Sequence, residues 1–217
     1  MNKEMKICVP IYKLIYSLAF IALLSVVRGV GYVDEIGVAM QSAIALLAIV
    51  FCADTYLTEI QSHRGEVFHL YDTKHKSTVI FRRIMIQDIY LFGISLLGYG
   101  CFYLQKPTIL SGTSQISLFA MFALAIAGTI LFWSVVSMTI CNLWRNMWAG
   151  IGTTLGLWIV LSSQFGHQIF GDWNVFSYTY RVTEEAGNMW WLCGEAVSIM
   201  ITFILALFVP VILKKRG

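Results

Sequence analysis

The chain has 217 residues, 58% of them hydrophobic and 12% charged, with a net charge of +3 and a mean hydropathy of +0.73. A water-soluble domain carries about 25% charged residues, so a chain with half that share cannot cover itself with polar surface, and lipid must solvate part of it. The small charge calls for no nucleic-acid partner, and Cys8, Cys52, Cys101, Cys141 and Cys193 lack the CxxC or Cys/His spacing of a metal or redox site.

Apolar runs near the ~20 residues that cross a ~30 Å hydrocarbon core occur at about 11–28, 37–57, 84–104, 116–140, 147–165 and 190–213. None alternates as a barrel strand does. They predict an all-α polytopic bundle of six spans, forming one transmembrane domain over 1–217. The first run follows a basic flank but has no A-x-A-like cleavage site after it, so it reads as a retained span rather than a signal peptide. Cys101 and Cys193 fall toward the outer face, where a disulfide is allowed but not argued for.

Lysines and arginines set the orientation, because cytoplasmic loops collect them. With the N-terminus inside, Lys3, Lys6, Lys13, Arg64, Lys74, Lys76, Arg82, Arg83, Arg145, Lys214, Lys215 and Arg216 are cytoplasmic. Only Arg28, Lys106 and Arg181 are then outside, together with Asp34, Glu35, Asp172, Glu184 and Glu185. Both termini are therefore expected in the cytoplasm of a multi-pass protein of the cell membrane. Trp144 and Trp148 bracket the inner ends of the fourth and fifth spans, while Trp190 and Trp191 open the sixth, as interfacial indoles do. Gly152 with Gly156, and Ala123 with Ala127, are small pairs that let helices approach.

Two connections are long. The outer one, 166–189, is too polar to span and too aromatic for a free linker, which predicts a partly inserted or re-entrant segment at the outer mouth. The inner one, 58–83, contains Val67, Phe68, Leu70 and Tyr71 as an apolar stripe, with Arg64, Glu66 and Asp72 on the wet side. Such a short amphipathic helix either rests in lipid headgroups or docks its aromatic anchors into a soluble partner.

The pattern Glu59…Arg64-Gly65-Glu66…Leu70, in the second-to-third connection of a six-span chain with an inside N-terminus, resembles the ABC-2 type permeases, the membrane halves of bacterial ATP-driven exporters. In this chain Asp72-Thr73-Lys74 stands where that family commonly has a proline, and little sequence precedes Ile11 for the family's N-terminal amphipathic helix. The resemblance implies a coupling helix formed by Glu59, Arg64, Glu66, Val67, Phe68, Leu70 and Tyr71 that fits a cleft on an ATPase subunit. It also implies a second permease, short re-entrant helices before the last span, and ATP and Mg on the partner ATPase, with no cofactor in this chain. The absence of a G-x-x-x-x-G-K-[ST] loop agrees with a separate ATPase. The cargo expected is amphipathic or apolar: a peptide, drug or lipid moved outward. The alternative is a small secondary transporter or substrate-binding membrane component without an ATPase.

Ionisable residues within spans are costly and mark function by default. Asp54 and Asp88 lie in the inner parts of the second and third runs, where they either form a structural ion pair with Arg82 or Arg83 or serve in coupling or proton handling. Glu195 lies one turn into the sixth from outside, placed to reach water or Arg181. An enzyme is the weaker reading. His63, His69 and His75, six residues apart on a helix, point about 120° away from one another in turn and cannot share a metal. Glu184-Glu185 is similar to the glutamate pair of CAAX-type proteases, but the following arginine and a later histidine are missing.

Overall fold

Hydrocarbon offers no hydrogen bonds to a peptide backbone, so an apolar run that enters it must satisfy its own N–H and C=O groups, and a helix does so. The computed structural model describes residues 2–57, 70–109, 114–181 and 189–216. Within them the regular structure is helical apart from an isolated bridge between Tyr32 and Thr108. The helices are α1 Asn2–Cys8, α2 Ile11–Val27, α3 Glu35–Cys52, α4 Thr73–Tyr103, α5 Gln115–Trp144, α6 Met147–Ser162, α7 Gln164–Phe170 and α8 Trp191–Arg216, with a 3-10 turn Gly171–Trp173 after α7. Among the described residues, α3, α4, α5 and the Trp191–Ile212 part of α8 are long and apolar enough to cross a membrane. The chain is a helical membrane protein. α2 and α6 are equally apolar but have 17 and 16 residues, about 24–26 Å of helix.

Two boundaries differ from the hydropathy pattern. α4 begins at Thr73, well before residue 84, because a helix does not stop where its side chains turn polar. Asp72 caps it, its carboxylate accepting from the Thr73 N–H at 2.8 Å. α3 ends at Cys52, and residues 53–56 form a turn. Asp54 therefore stands just beyond the helix rather than within it.

α5 is the centre of the bundle and packs against α3, α4, α6 and α8. Ile44, Ile49, Phe51, Phe122, Ile126, Trp133 and Phe176 belong to one buried cluster around it. α2 lies at the periphery, mainly on α4. It buries Lys13, Ser17, Ile21 and Ser25, a stripe at four-residue spacing that is mostly polar. Its apolar residues, among them Ile15, Leu18, Leu23 and Val26, face outward. That inversion is expected where the surroundings are as apolar as leucine and polar groups find partners only inside. The Ser17 hydroxyl meets the Tyr90 hydroxyl at 2.7 Å.

At one end of the bundle the 28–34 and 104–109 loops join, with Val33 N–H donating to Thr108 O at 3.2 Å and Thr108 N–H to Gly31 O at 2.8 Å. Cys101 and Cys193 are free thiols. At the other end α5 passes into α6 through Arg145, in the left-handed region at φ 53°, and Asn146, whose side chain caps α6 by accepting from Trp148 and Ala149. Trp144 and Trp148 flank this turn and are exposed. Trp190 is exposed too, but Trp191 is buried and packs edge-on to Tyr178 at 5.0 Å. The close approach of α6 to α5 uses Gly150, where a Cβ would overlap Cys141, whereas Gly152 and Gly156 meet nothing within 4 Å.

Candidate functional site

Two polar clusters stand out in this apolar bundle, one at each end. The first is built on α3, α5, α8 and the segment after the 3-10 turn. Gln41, on α3, is fully buried. Its Nε2 faces Thr129 Oγ1 at 3.1 Å, Glu195 Oε1 at 3.3 Å and Val175 O at 3.4 Å. Its Oε1 accepts from the Thr179 hydroxyl at 2.5 Å. One amide thus connects three helices to the segment that follows α7. An amide can do this because it donates and accepts on the same side chain.

That segment is held in depth. Ser163 starts α7, its hydroxyl accepting from Gly166 N–H at 3.2 Å and donating to Val160 O at 2.7 Å. Residues Asn174–Tyr178 then enter the bundle and are all buried. Phe176 stacks on Trp133 at 5.8 Å, Asn174 Nδ2 donates to Leu161 O at 3.0 Å, and the Ser177 hydroxyl donates to Trp191 O at 2.7 Å. Two glycines make room: a Cβ on Gly37 would overlap the Tyr178 ring, and one on Gly194 would overlap Asn174 O and Ser177 Oγ. Burial pushes the Tyr178 phenol above its ordinary range, with Arg181 opposing. The Arg181 guanidinium lies 4.1 Å over the Tyr178 ring and donates to Asp34 O at 3.3 Å.

Glu195 is part of this lock and not of the mouth. It is 3% exposed, faces Gln41 rather than water or Arg181, and leaves Oε2 without a hydrogen-bond partner. Gly128 admits it, since a Cβ there would overlap Oε2. Asp88 is likewise buried, and among the described residues neither carboxylate oxygen has a hydrogen-bond partner. Ser134 is the polar side chain beside it, but that hydroxyl donates to Leu131 O at 3.1 Å.

The second cluster gathers the charges of the other end. Lys13, 3% exposed, donates to Phe51 O at 2.6 Å and to Asp54 at 2.7 Å, with its ammonium 4.7 Å from the Phe51 ring centroid. Arg82 and Arg83 converge on Glu4 of α1 at 2.6 and 3.3 Å. Among the described residues Asp54 thus pairs with Lys13 rather than with Arg82 or Arg83, and Asp88 forms no ion pair with either arginine. Lys13 lies nearer to Asp54, and α1 brings Glu4 across the start of α4. Thr55 donates to Gln87 Oε1 at 2.7 Å, and Gln87 Nε2 donates to Cys8 O at 3.3 Å. Burial pushes the Cys8 thiol up to about 11, partly offset by Arg83.

Of the expected coupling residues, Leu70 and Tyr71 lie just before α4. Leu70 is 85% exposed, and Tyr71 packs its ring on His75 at 4.8 Å. Glu59, Arg64, Glu66, Val67 and Phe68 lie outside the described residues, as do His63, His69, Glu184 and Glu185. Sequence reasoning passed over Gln41, Thr129, Thr179, Lys13 and Glu4. Gln41 and Lys13 carried a signal, a strong polar group within or near the start of an apolar run. Thr129 and Thr179 carried none, since hydroxyls are ordinary in such helices.

Family models, characterised proteins and solved structures were compared with the chain, and none matches.

Proposed function

We propose that this chain is the membrane permease of an ATP-driven exporter of the ABC-2 type, working as a pair of permeases with two separate ATPase subunits. In this reading α2, α3, α4, α5, α6 and α8 are the six spans, and the Lys13–Asp54 end is cytoplasmic. The observation that carries it is the clamping of the second-to-third connection on both sides. Before it, Asp54 is held by Lys13. After it, Arg82 and Arg83 are held by Glu4. Between these points, Leu70 and Tyr71 are exposed ahead of a polar stretch of α4. A segment tied at both ends to the helices can pass a push from a docked ATPase into the bundle, whereas a free loop would absorb it. The open face of α6 at Gly152 and Gly156 offers a close seat for the second permease. ATP and Mg belong to the partner subunit, and the cargo is amphipathic or apolar, leaving along a path beside the first, second and fifth spans.

A secondary transporter is the second reading, favoured by the buried carboxyls of Asp88 and Glu195, since such groups carry protons or cations in ion-coupled carriers. Co-purification in mild detergent separates the two. Under the exporter reading an ATPase accompanies the chain, and Phe68→Ala with Tyr71→Ala weakens its recovery about thirtyfold, the equivalent of ~2 kcal/mol at an aromatic anchor. Undiminished recovery with that double substitution removes the coupling role. A lone chain whose transport follows an ion gradient supports the second reading.

A further inference from the structure

We infer that the oxygen cluster around Gln41 and Glu195 is a binding site for one sodium ion. The Glu195 carboxylate is 3% exposed, and its Oε2 has no hydrogen-bond partner among the described residues. Nor does any lysine, arginine or histidine among them form an ion pair with it. A carboxylate taken out of water with neither a cation nor a full set of donors is costly. What stands around it is oxygen: Thr129 Oγ1 on α5, the Val175 carbonyl, and the Gln41 amide with the Thr179 hydroxyl behind it. Lone pairs outnumber hydrogens there, because the Gln41 amide nitrogen has two hydrogens and faces three acceptors.

The spacing of these atoms suits a coordination shell. Thr129 Oγ1, Glu195 Oε1 and Val175 O lie 3.1, 3.3 and 3.4 Å from the Gln41 nitrogen. Neighbouring oxygens of an octahedral shell are about 3.4 Å apart around an ion bound at ~2.4 Å, the distance of Ca²⁺ and of sodium, which has nearly the same radius. The amide nitrogen thus occupies a corner of such a shell. A half-turn of the amide about its last bond puts Oε1 at that corner and leaves the N–H groups for the Thr179 hydroxyl, which can accept as well as donate. Oxygens from α3, α5, α8 and the segment after the 3-10 turn then supply the ligands.

Charge and ligand type choose the ion. One carboxylate among neutral oxygens balances a single positive charge, whereas Ca²⁺ or Mg²⁺ would leave an unpaired charge buried. Among the described residues no three His, Cys, Asp or Glu side chains gather to hold a metal, and hard neutral oxygens suit an alkali cation rather than a transition metal. Potassium, bound at longer distances, needs a wider shell. A proton fits less well: on Oε1 it would face the Gln41 N–H, and it has no use for three further oxygens. Glu195 is the fifth residue of α8, about 6 Å along the axis from its start, so an ion entering at that end has one turn of helix to pass. The site rests on neither functional reading, since equilibrium binding needs no ATPase and no transport.

The test is equilibrium binding of radioactive sodium ion to the full purified chain in neutral detergent, with choline chloride holding the ionic strength constant. Saturable binding of one ion per chain is expected, displaced by unlabelled sodium chloride well before potassium chloride. The thermal unfolding midpoint should rise with sodium chloride in the same saturable way, because the ion binds the folded chain. Glu195→Gln, which keeps the shape and removes the charge, should abolish both effects. Thr129→Val should weaken binding at least about tenfold, since groups that only orient a ligand are worth that much, while Thr129→Ser keeps it; this pair decides if Glu195→Gln fails to fold. Asp88→Asn, which removes a buried carboxyl outside the cluster, should leave binding unchanged. Absence of saturable binding, binding that survives in Glu195→Gln, or loss in Asp88→Asn instead overturns the proposal. So does a midpoint that moves with pH but is the same in sodium and choline chloride, which would make the occupant a proton.

Discussion

Replacing Gln41 with leucine keeps the volume of the side chain and removes all its hydrogen bonding, so the polar lock should fail without a large cavity. Glu195 would lose its donor, and a hydrogen bond to a charged or potentially charged group is worth about 1.5–3 kcal/mol. The Thr129 and Thr179 hydroxyls would lose a buried partner, at about 1 kcal/mol each, less where they turn to a backbone carbonyl. The sum is about 3–4 kcal/mol, between a hundredfold and a thousandfold in the ratio of folded to unfolded chain. Glu195→Met should cost only about 1 kcal/mol, because it surrenders one contact at 3.3 Å and also deletes Oε2, which has no hydrogen-bond partner. The double variant should then cost about 2 kcal/mol, since the stranded carboxyl is gone. Reversible unfolding in mixed detergent micelles measures the cycle. If the two single costs add to the double within about 0.5 kcal/mol, the residues are uncoupled and the lock described here is wrong.

Three further predictions rest on separate contacts. Gly194→Ala should destabilise the protein by about 1–3 kcal/mol, because its Cβ overlaps backbone at Asn174, whereas Gly93→Ala, with nothing within 4 Å, should be neutral or stabilising by up to ~1 kcal/mol; thermal unfolding compares them. Lys13→Met should cost about 2 kcal/mol, below the usual ~3–5 for breaking a buried pair because Asp54 keeps 27% side-chain exposure, and Arg82→Ala, with its side chain 56% exposed, should cost under ~1; equal losses in the same melts would contradict the burial argument. Maleimide at pH 7 should modify exposed Cys101 well before buried Cys8, whose raised pKa keeps it a thiol until the pH nears about 11; the gap should narrow as pH rises, and prompt labelling of Cys8 at neutral pH would refute it.

The helical membrane class was legible in the sequence because it follows from composition and run length, which act locally: an apolar stretch such as 37–57 or 190–213 has no option but a helix where water is absent. The exposed Trp144 and Trp148 follow from the same solvent argument. What hydropathy could not show was where polar helix continues, and so it placed the start of α4 at residue 84 although the helix begins at Thr73, eleven residues earlier. It also could not choose partners. Asp54 took Lys13 and not its neighbours along the chain, and Glu195 took Gln41 across 154 residues of sequence, because pairing of buried polar groups is settled by which helix faces meet. Trp191 left the interface for the core for the same reason. Spans are a property of segments, whereas the lock and the charge clamp are properties of contacts between segments, and only the packing of the helices against one another decides those.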